Sequence, residues 1–461
     1  MIGQKGMMMK KKVRFKLSTT HIILLSFLAA IIVGSILLTL PISTQSGKSV
    51  PYIDALFTAT TSVCVTGLVT VPTVLTWSVF GQVVILVLIQ IGGLGIITIM
   101  SGIMIFFHQK LSIGNRILIQ DAFNLNTLSG LVKFTKKVLV GTFIIEGVGA
   151  LLYMFVFIPE FGAKGIWISI FNSVSAFCNA GIDIIAEDSL CRYALNPMVN
   201  IITSILIILG GLGYVVWWDV IRVLKTSGKR KIRCFKGLML HSKIVLSVTL
   251  FLIISGAVCF FAFEYNNPNT IGNYSLGGKI QASLFQSVTT RTAGFATIPQ
   301  ENLTNASAIV ALLLMFIGGS PVGTAGGIKT VTIAILIASA FSTIRNKESV
   351  SLFNRTVPKQ AVSKSVAVVS MSFIIMFIST VLLSAVTSAD AIDVMYETVS
   401  ATATVGLTRS LTPVLNTFGK IIIALTMYLG RVGPISLMVA FNIKKQKKII
   451  VNNPEEEVNV G

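Results

Sequence analysis

The chain carries one short segment four times. The copies are SVCVTGL at 62–68, AFCNAGI at 176–182, TRTAGF at 290–295 and TATVGL at 402–407. Their glycines, Gly67, Gly181, Gly294 and Gly406, follow one another at intervals of 114, 113 and 112 residues. An aromatic residue precedes each glycine: Phe57, Phe171 and Tyr396 by ten positions, Phe285 by nine. A period this regular marks one structural unit used four times. Four copies of a short loop in an apolar chain predict convergence on a common axis, which is the plan of a pore.

Composition sets the solvent. Hydrophobic residues make up 53 % of the 461 residues and charged ones 12 %, against roughly 25 % charged in an average soluble domain. Stretches of about 20 apolar residues, enough to span a bilayer, occur at His21–Leu40, Val79–Phe107, Val138–Ile158, Ile201–Val223, Ile244–Phe263, Val366–Val386 and Ile421–Phe441. The first lacks a small-residue cleavage site after it and reads as a retained span rather than a signal peptide. A net charge of +20 raises the question of nucleic acid, but its distribution excludes that reading. Of the 37 Lys and Arg, 28 fall before residue 20, in 108–137, 222–243 and 345–364, and after 443. Each cluster follows an even number of spans, so all share one side, the cytoplasmic side by the positive-inside rule. They are topology signals and contacts for anionic lipid. Cysteines 64, 178, 191, 234 and 259 are odd in number without C-x-x-C spacing, which points to neither a disulfide framework nor a zinc site.

Each quarter reads as an apolar span, a short mixed segment, the glycine loop and a second span. The short segments, Ile53–Ser62, Trp167–Phe177, Ile280–Thr290 and Ile392–Thr402, would reach about 15–17 Å as helix. That is half a bilayer, and such re-entrant backbone is tolerated only where it is buried in protein or lines a water-filled cavity. The expected fold is all-α: eight transmembrane helices and four re-entrant half-helices around a pseudo-fourfold pore. A basic tail (1–19) precedes repeats at 20–109, 134–224, 240–344 and 362–443, and a tail (444–461) follows; Gln120–Asn126 reads as an amphipathic surface helix.

A filter that strips water from a cation replaces hydration oxygens with backbone carbonyls, and glycine turns such backbone without a Cβ clash. The candidate ion-coordinating backbone is therefore Val65, Thr66 and Gly67; Asn179, Ala180 and Gly181; Thr292, Ala293 and Gly294; and Thr404, Val405 and Gly406. Small residues before each glycine and Leu68, Ile182, Phe295 or Leu407 after it suit a constriction packed from behind. No acidic ring stands at that level, which disfavours a divalent-cation filter. The half-helices would aim their partially negative C-terminal ends at the axis.

The span after each loop holds a glycine cluster. IGGLG (91–95) and LGGLG (209–213) read as helix-packing glycines, and LGRVG (429–433) is the fourth. The third, IGGSPVGTAGG at 317–327, cannot stay helical: Gly318, Gly319, Gly323, Gly326, Gly327 and Pro321 disfavour a helix interior, so this span breaks in two. GIKT (327–330) lacks the adjacent Gly-Lys of a phosphate-binding loop, and nucleotide binding by this chain is not expected. Arg431, midway along the last span, is expensive there and reads as functional. Lys329 reads as reaching the inner interface, and Arg291 as pairing with a half-helix acid or capping carbonyls.

These motifs resemble the membrane subunit of the Trk/Ktr/HKT superfamily of potassium transporters, most of all its KtrB type, over essentially the whole chain. The resemblance implies that the four glycines favour potassium, that the broken span is an intramembrane gating loop, and that Arg431 beneath the filter is an electrostatic barrier. Cys64 stands where relatives commonly have Thr or Ser. It further implies a multi-pass protein of a bacterial cell membrane with both termini cytoplasmic. The implied assembly is a homodimer on a KtrA-type ring of regulatory subunits, through which alone nucleotide acts. Potassium is the implied cargo, and passive and sodium-assisted transport both fit. A channel-like subunit of an ATP-driven potassium pump shares the four-repeat plan, but such chains carry extra flanking spans. A membrane-embedded enzyme would need convergent Asp, His or Cys, whereas the three histidines, 21, 108 and 241, lie near span ends.

Overall fold

The structure is a computed structural model that describes residues 19–106, 130–227, 234–347 and 349–433. The described residues are mostly helical. A first helix, α1 (Thr19–Thr39), leads to the half-helix α2 (Tyr52–Cys64), and the chain then continues through α3 (Val79–Leu94) and α4 (Ile96–Phe106). The same order recurs with α5 (Leu131–Phe161), half-helix α6 (Lys164–Cys178), α7 (Pro197–Leu212) and α8 (Tyr214–Ser227). It recurs again with α9 (Leu240–Glu264), α10 (Leu276–Thr289), α11 (Asn305–Phe316) and α12 (Thr330–Ile344), and finally with α13 (Lys359–Val386), α14 (Ala391–Ala403) and α15 (Thr417–Val432). A two-stranded hairpin, β1 (Ser351–Leu352) and β2 (Arg355–Thr356), turns at Phe353 and Asn354, both with positive φ. The tails, Gln120–Asn126 and the end of the last expected span lie outside the described residues.

Caps fix where the second spans begin. Ser78, Asn196, Thr304 and Asn416 each accept a backbone N–H of the first turn, from Gly81, Met198 and Val199, Ser307 and Gly419 respectively. A side-chain oxygen there satisfies donors that have no intrahelical partner.

Among the described residues, four helices (α1, α5, α9 and α13) are long and apolar enough to cross a membrane, and up to six spans result if each bent pair counts as one. The bends correct the packing role expected for the first two glycine clusters. Helices α3 and α4 meet at 97°, and α7 and α8 at 96°. Gly95 and Gly213 sit at the corners with φ +82° and +84°. The last glycine of each cluster takes a conformation that ends the helix, while the earlier ones do pack. A Cβ on Gly92 would strike the carbonyl of Val63, and one on Gly210 that of Phe177.

The outer face is apolar, and the interior combines a large apolar core with polar side chains withdrawn from the outer face. Leu151 and Phe155 on α5 are exposed, whereas Gln82, Glu146, Asn172 and Gln286 are buried. Glu146, on the same helix, accepts Gln90 Nε2 at 3.1 Å. Polar contacts stitch each quarter to the next. Trp167 Nε1 donates to Gln82 Oε1 at 2.8 Å, and Gln281 Nε2 to the Ala194 carbonyl at 3.2 Å. Arg409 Nη1 donates to the Gln300 carbonyl at 3.1 Å, and Lys420 Nζ meets Asp54 Oδ1 at 2.6 Å across 366 residues of sequence. The last pair is mostly buried, at 15 % and 9 % side-chain exposure. Lys420→Met should therefore destabilise, by less than the roughly 3–5 kcal/mol of a fully buried pair. The double variant with Asp54→Asn should recover part of the loss, since no charge is then left unpaired. Thermal unfolding in detergent checks this, and single variants as stable as the parent would count against the clamp.

Candidate functional site

The four half-helices end together, and one geometry ends them. Helices α2, α6 and α14 stop where Val65, Asn179 and Thr404 turn left-handed, with φ of 55°, 61° and 52°. In the third copy α10 stops at Thr289, but Thr292 has φ 65°, again two residues before the glycine. The half-helices thus run 13–15 residues, longer than the segments expected: three of them continue to this turn, and α10 starts earlier, at Leu276. Left-handed backbone costs a β-branched residue about 1–3 kcal/mol and persists only where its surroundings enforce it.

The enforcement is visible. Thr66 N donates to the Thr61 carbonyl, Ala180 N to Ser175, Ala293 N to Thr289 and Val405 N to Ser400, at 2.8–3.0 Å. The hydroxyls of those four anchors hold the loops a second time. Thr61 Oγ1 and Ser400 Oγ accept the N–H of Gly67 and Gly406, both at 3.0 Å. Ser175 Oγ donates to the Ile182 carbonyl at 2.5 Å, and Thr289 Oγ1 to that of Phe295 at 2.6 Å. Sequence reasoning missed these anchors, although the hydroxyl residues recur six, six, five and six positions before the glycines. Behind the loops, Phe57, Phe171, Phe285 and Tyr396 are fully buried, as are Leu68, Ile182, Phe295 and Leu407.

The glycines close a ring. A Cβ on Gly67 would lie 2.5 Å from the Ala180 carbonyl oxygen, one on Gly181 2.5 Å from that of Ala293, and one on Gly294 2.5 Å from that of Val405. A Cβ on Gly406 would strike the Thr66 carbonyl, which completes the circle. Each glycine therefore lies against the carbonyl that precedes the glycine of the next copy. Eight of the twelve loop residues expected from the sequence make this ring, and Val65, Asn179, Thr292 and Thr404 precede it at the left-handed turns.

One segment lies across one side of the ring. Residues 317–329 separate α11 from α12 and hydrogen-bond beneath several copies. Ser320 N donates to the Gly211 carbonyl at 2.9 Å and Thr324 N to that of Gly210 at 3.1 Å. Thr324 Oγ1 donates to the Phe177 carbonyl at 3.0 Å, and Gly326 N to Thr292 Oγ1 at 3.2 Å. Gly326 leaves no room for a Cβ beside Thr404. Gly318, Gly319, Gly323 and Gly327 are equally confined, each within 3 Å of a neighbour once a Cβ is added.

Arg431 Nη1 donates to the Thr324 carbonyl at 2.7 Å and Nη2 to that of Gly92 at 2.6 Å. It thereby joins the crossing segment to the first copy from the last turn of α15. Lys329 departs from its expected reach to the inner interface. Its Nζ folds back onto the carbonyls of Ala325 at 2.6 Å and Gly326 at 3.3 Å, since those glycine-rich carbonyls lack helical partners. Arg291 also departs from expectation: buried, it donates to Thr249 Oγ1 at 3.3 Å, so a hydroxyl takes the place of the acid or carbonyl cap. A cavity of about 470 Å³ opens below the segment, lined by Gly95, Tyr214, Gly326, Lys329, Lys364 and Arg431 among others.

Residues 3–452 match the model of the TrkH family, described as cation transport proteins. The potassium/sodium uptake protein NtpJ of Enterococcus hirae is 38 % identical over 98 % of this chain and 99 % of its own. The Ktr system potassium uptake protein B of Bacillus subtilis is 37 % identical over 98 % of each. Among solved structures, the potassium transporter TrkH of Vibrio parahaemolyticus shares the fold, with a TM-score of 0.74 and 15 % identity over 93 % of this chain and 86 % of that one. With its whole length matched in this way, the chain belongs to the TrkH family of cation transport proteins and is a multi-pass membrane protein.

Proposed function

We propose that this protein takes up potassium through the ring of four glycine loops. The observation that carries the reading is the closed cycle in which every glycine abuts the preceding carbonyl of the next copy. A carbonyl-lined constriction exchanges a cation's water for fixed oxygens, and half-helix C-termini directed at it favour positive charge. In this reading the filter comprises the twelve loop residues, and segment 317–329 is the gate. Arg431 is at once a latch on that gate and a positive barrier beneath the filter. The printed names of the relatives, one a potassium/sodium uptake protein and one a potassium uptake protein B, support potassium as cargo, with sodium as a candidate stimulating ion.

The proposed membrane orientation puts both termini and the basic linkers in the cytoplasm. There a homodimer would sit on a KtrA-type ring of nucleotide-binding subunits, whose nucleotide would shift the gate by binding its two states unequally. Expression in a bacterium lacking potassium uptake tests the whole reading. Growth and rubidium uptake at low potassium should return, most fully when the ring subunit is co-expressed, and the two proteins should co-purify. No rescue with or without that subunit sinks the transport reading. Full activity of an isolated monomer, indifferent to nucleotide, sinks the assembly.

A further inference from the structure

The third copy is the irregular one. Its aromatic residue stands nine positions before the glycine and its hydroxyl anchor five, where the other copies have ten and six. Its half-helix α10 stops at Thr289, three residues short of the left-handed Thr292. The register that sets the other three loops is therefore one residue off here.

A cluster of neutral polar side chains stands at this copy and reaches the fourth. Gln286, on α10, follows the buried Phe285, and Gln300 lies six residues after Gly294. Both glutamines are buried. Their amides pair reciprocally: Gln286 Nε2 donates to Gln300 Oε1 at 2.6 Å, and Gln300 Nε2 to Gln286 Oε1 at 3.2 Å. Gln300 Nε2 also donates to the Ile298 carbonyl at 2.7 Å, and Gln300 Oε1 accepts the Tyr396 hydroxyl at 3.0 Å. All four hydrogen-bonding positions of the Gln300 amide are thus used. Tyr396 is the aromatic residue behind the fourth loop, where the other three copies hold phenylalanine. The one oxygen that sets it apart finds its partner in the preceding copy. The backbone repeats the tie. The Gln300 carbonyl accepts Arg409 Nη1 at 3.1 Å, and Arg409, three residues after Gly406, also holds Asp393 of α14 through Nε at 2.6 Å.

We propose that Gln300 is a positioning residue for ion selection. Through Gln286 and Tyr396 it braces the third loop against the fourth and holds Gly294 against the Val405 carbonyl. A buried and fully satisfied polar network rigidifies the groups it joins, and here those groups carry the irregular copy. Sodium and potassium differ by the number and spacing of oxygens they require, so a junction free to move loses discrimination before it loses conduction. The cluster is uncharged and sets spacing without adding attraction for either ion. The inference rests on the potassium-uptake reading given above.

Relative rubidium and sodium fluxes from the reconstituted full chain test it. Tyr396→Phe removes one oxygen and keeps the packed ring; it should lower rubidium-over-sodium selection about threefold, within the worth of one neutral hydrogen bond. Gln300→Leu should lower it about tenfold, since it also leaves the Gln286 amide unpaired in the interior. The double variant should stay near the Gln300→Leu value, short of the about thirtyfold product of independent sites. Lys420→Met is the control for general loosening: it breaks the tie between the fourth and first copies and should keep the parental ratio while unfolding earlier. A parental ratio in either single variant overturns the proposal, as does a multiplied loss in the double one. An equal fall in Lys420→Met overturns it too, because the effect would then belong to stability alone. Should Gln300→Leu fail to fold, Tyr396→Phe decides by itself. Parent protein that passes neither ion would instead discredit the transport reading, which keeps the two failures apart.

Discussion

Gly67→Ser should lower potassium-over-sodium selection about tenfold, the equivalent of roughly 1.4 kcal/mol. The new Cβ would sit 2.5 Å from the Ala180 carbonyl oxygen and 3.3 Å from the Cα of Gly181 and of Gly406. Backbone cannot yield as a flexible side chain would, so the proposed ring must open on that side. One displaced carbonyl suffices, because sodium is distinguished from potassium by small differences in the number and spacing of oxygens. The φ of +99° adds strain for any residue with a Cβ. Gly47→Ser separates strain from crowding: Gly47 also has positive φ, +66°, but its Cβ would meet nothing within 4 Å. That control should leave selection unchanged. Relative rubidium and sodium fluxes from reconstituted protein decide the matter, and equal ratios in parent and Gly67→Ser would remove the ring from the selection step.

Arg431→Ala should raise potassium flux, by tenfold or more if the segment across the ring is the gate. Two effects act together. The guanidinium bridges the carbonyls of Thr324 and Gly92, and its loss frees the crossing segment from the first copy. It also removes a positive charge from the proposed path, where one unit charge opposes another by about 4 kcal/mol at 4 Å and an effective dielectric near 20. Arg431→Lys divides the two, since lysine keeps the charge without the planar fork that reaches both oxygens. An intermediate flux is expected from it. If the alanine variant reaches the membrane with parental flux, Arg431 is neither latch nor barrier.

The sequence made the four-part plan legible because both its signals are local and repeated. The glycines tolerate no substitute where backbones nearly touch, and the aromatics fill the same buried position behind each loop. The break at 317–329 was equally open to reading, since six of its residues oppose helix by themselves. Other features depend on tertiary context. Val65, Thr292 and Thr404 are poor candidates for left-handed backbone and adopt it only because Thr61, Thr289 and Ser400 hold the following residues. Gly95 and Gly213 have the composition of packing glycines; the corners appear only when the next helix turns aside. Lys329 looked like an interfacial lysine because its true partners, bare carbonyls four and three residues upstream, exist only once the helix is broken.

The segment crossing the ring comes from a single copy, although the ring is built from four. Its hydrogen bonds run to Gly210, Gly211 and Phe177, to Thr292, and through Arg431 to Gly92, so its release is one event that severs ties to every side at once. A pore closed by four equivalent parts can pass through partly open levels as the parts move in turn. On the proposed reading one element closes each pore, so single-pore recordings should show two current levels, shut and fully open, without subconductance steps.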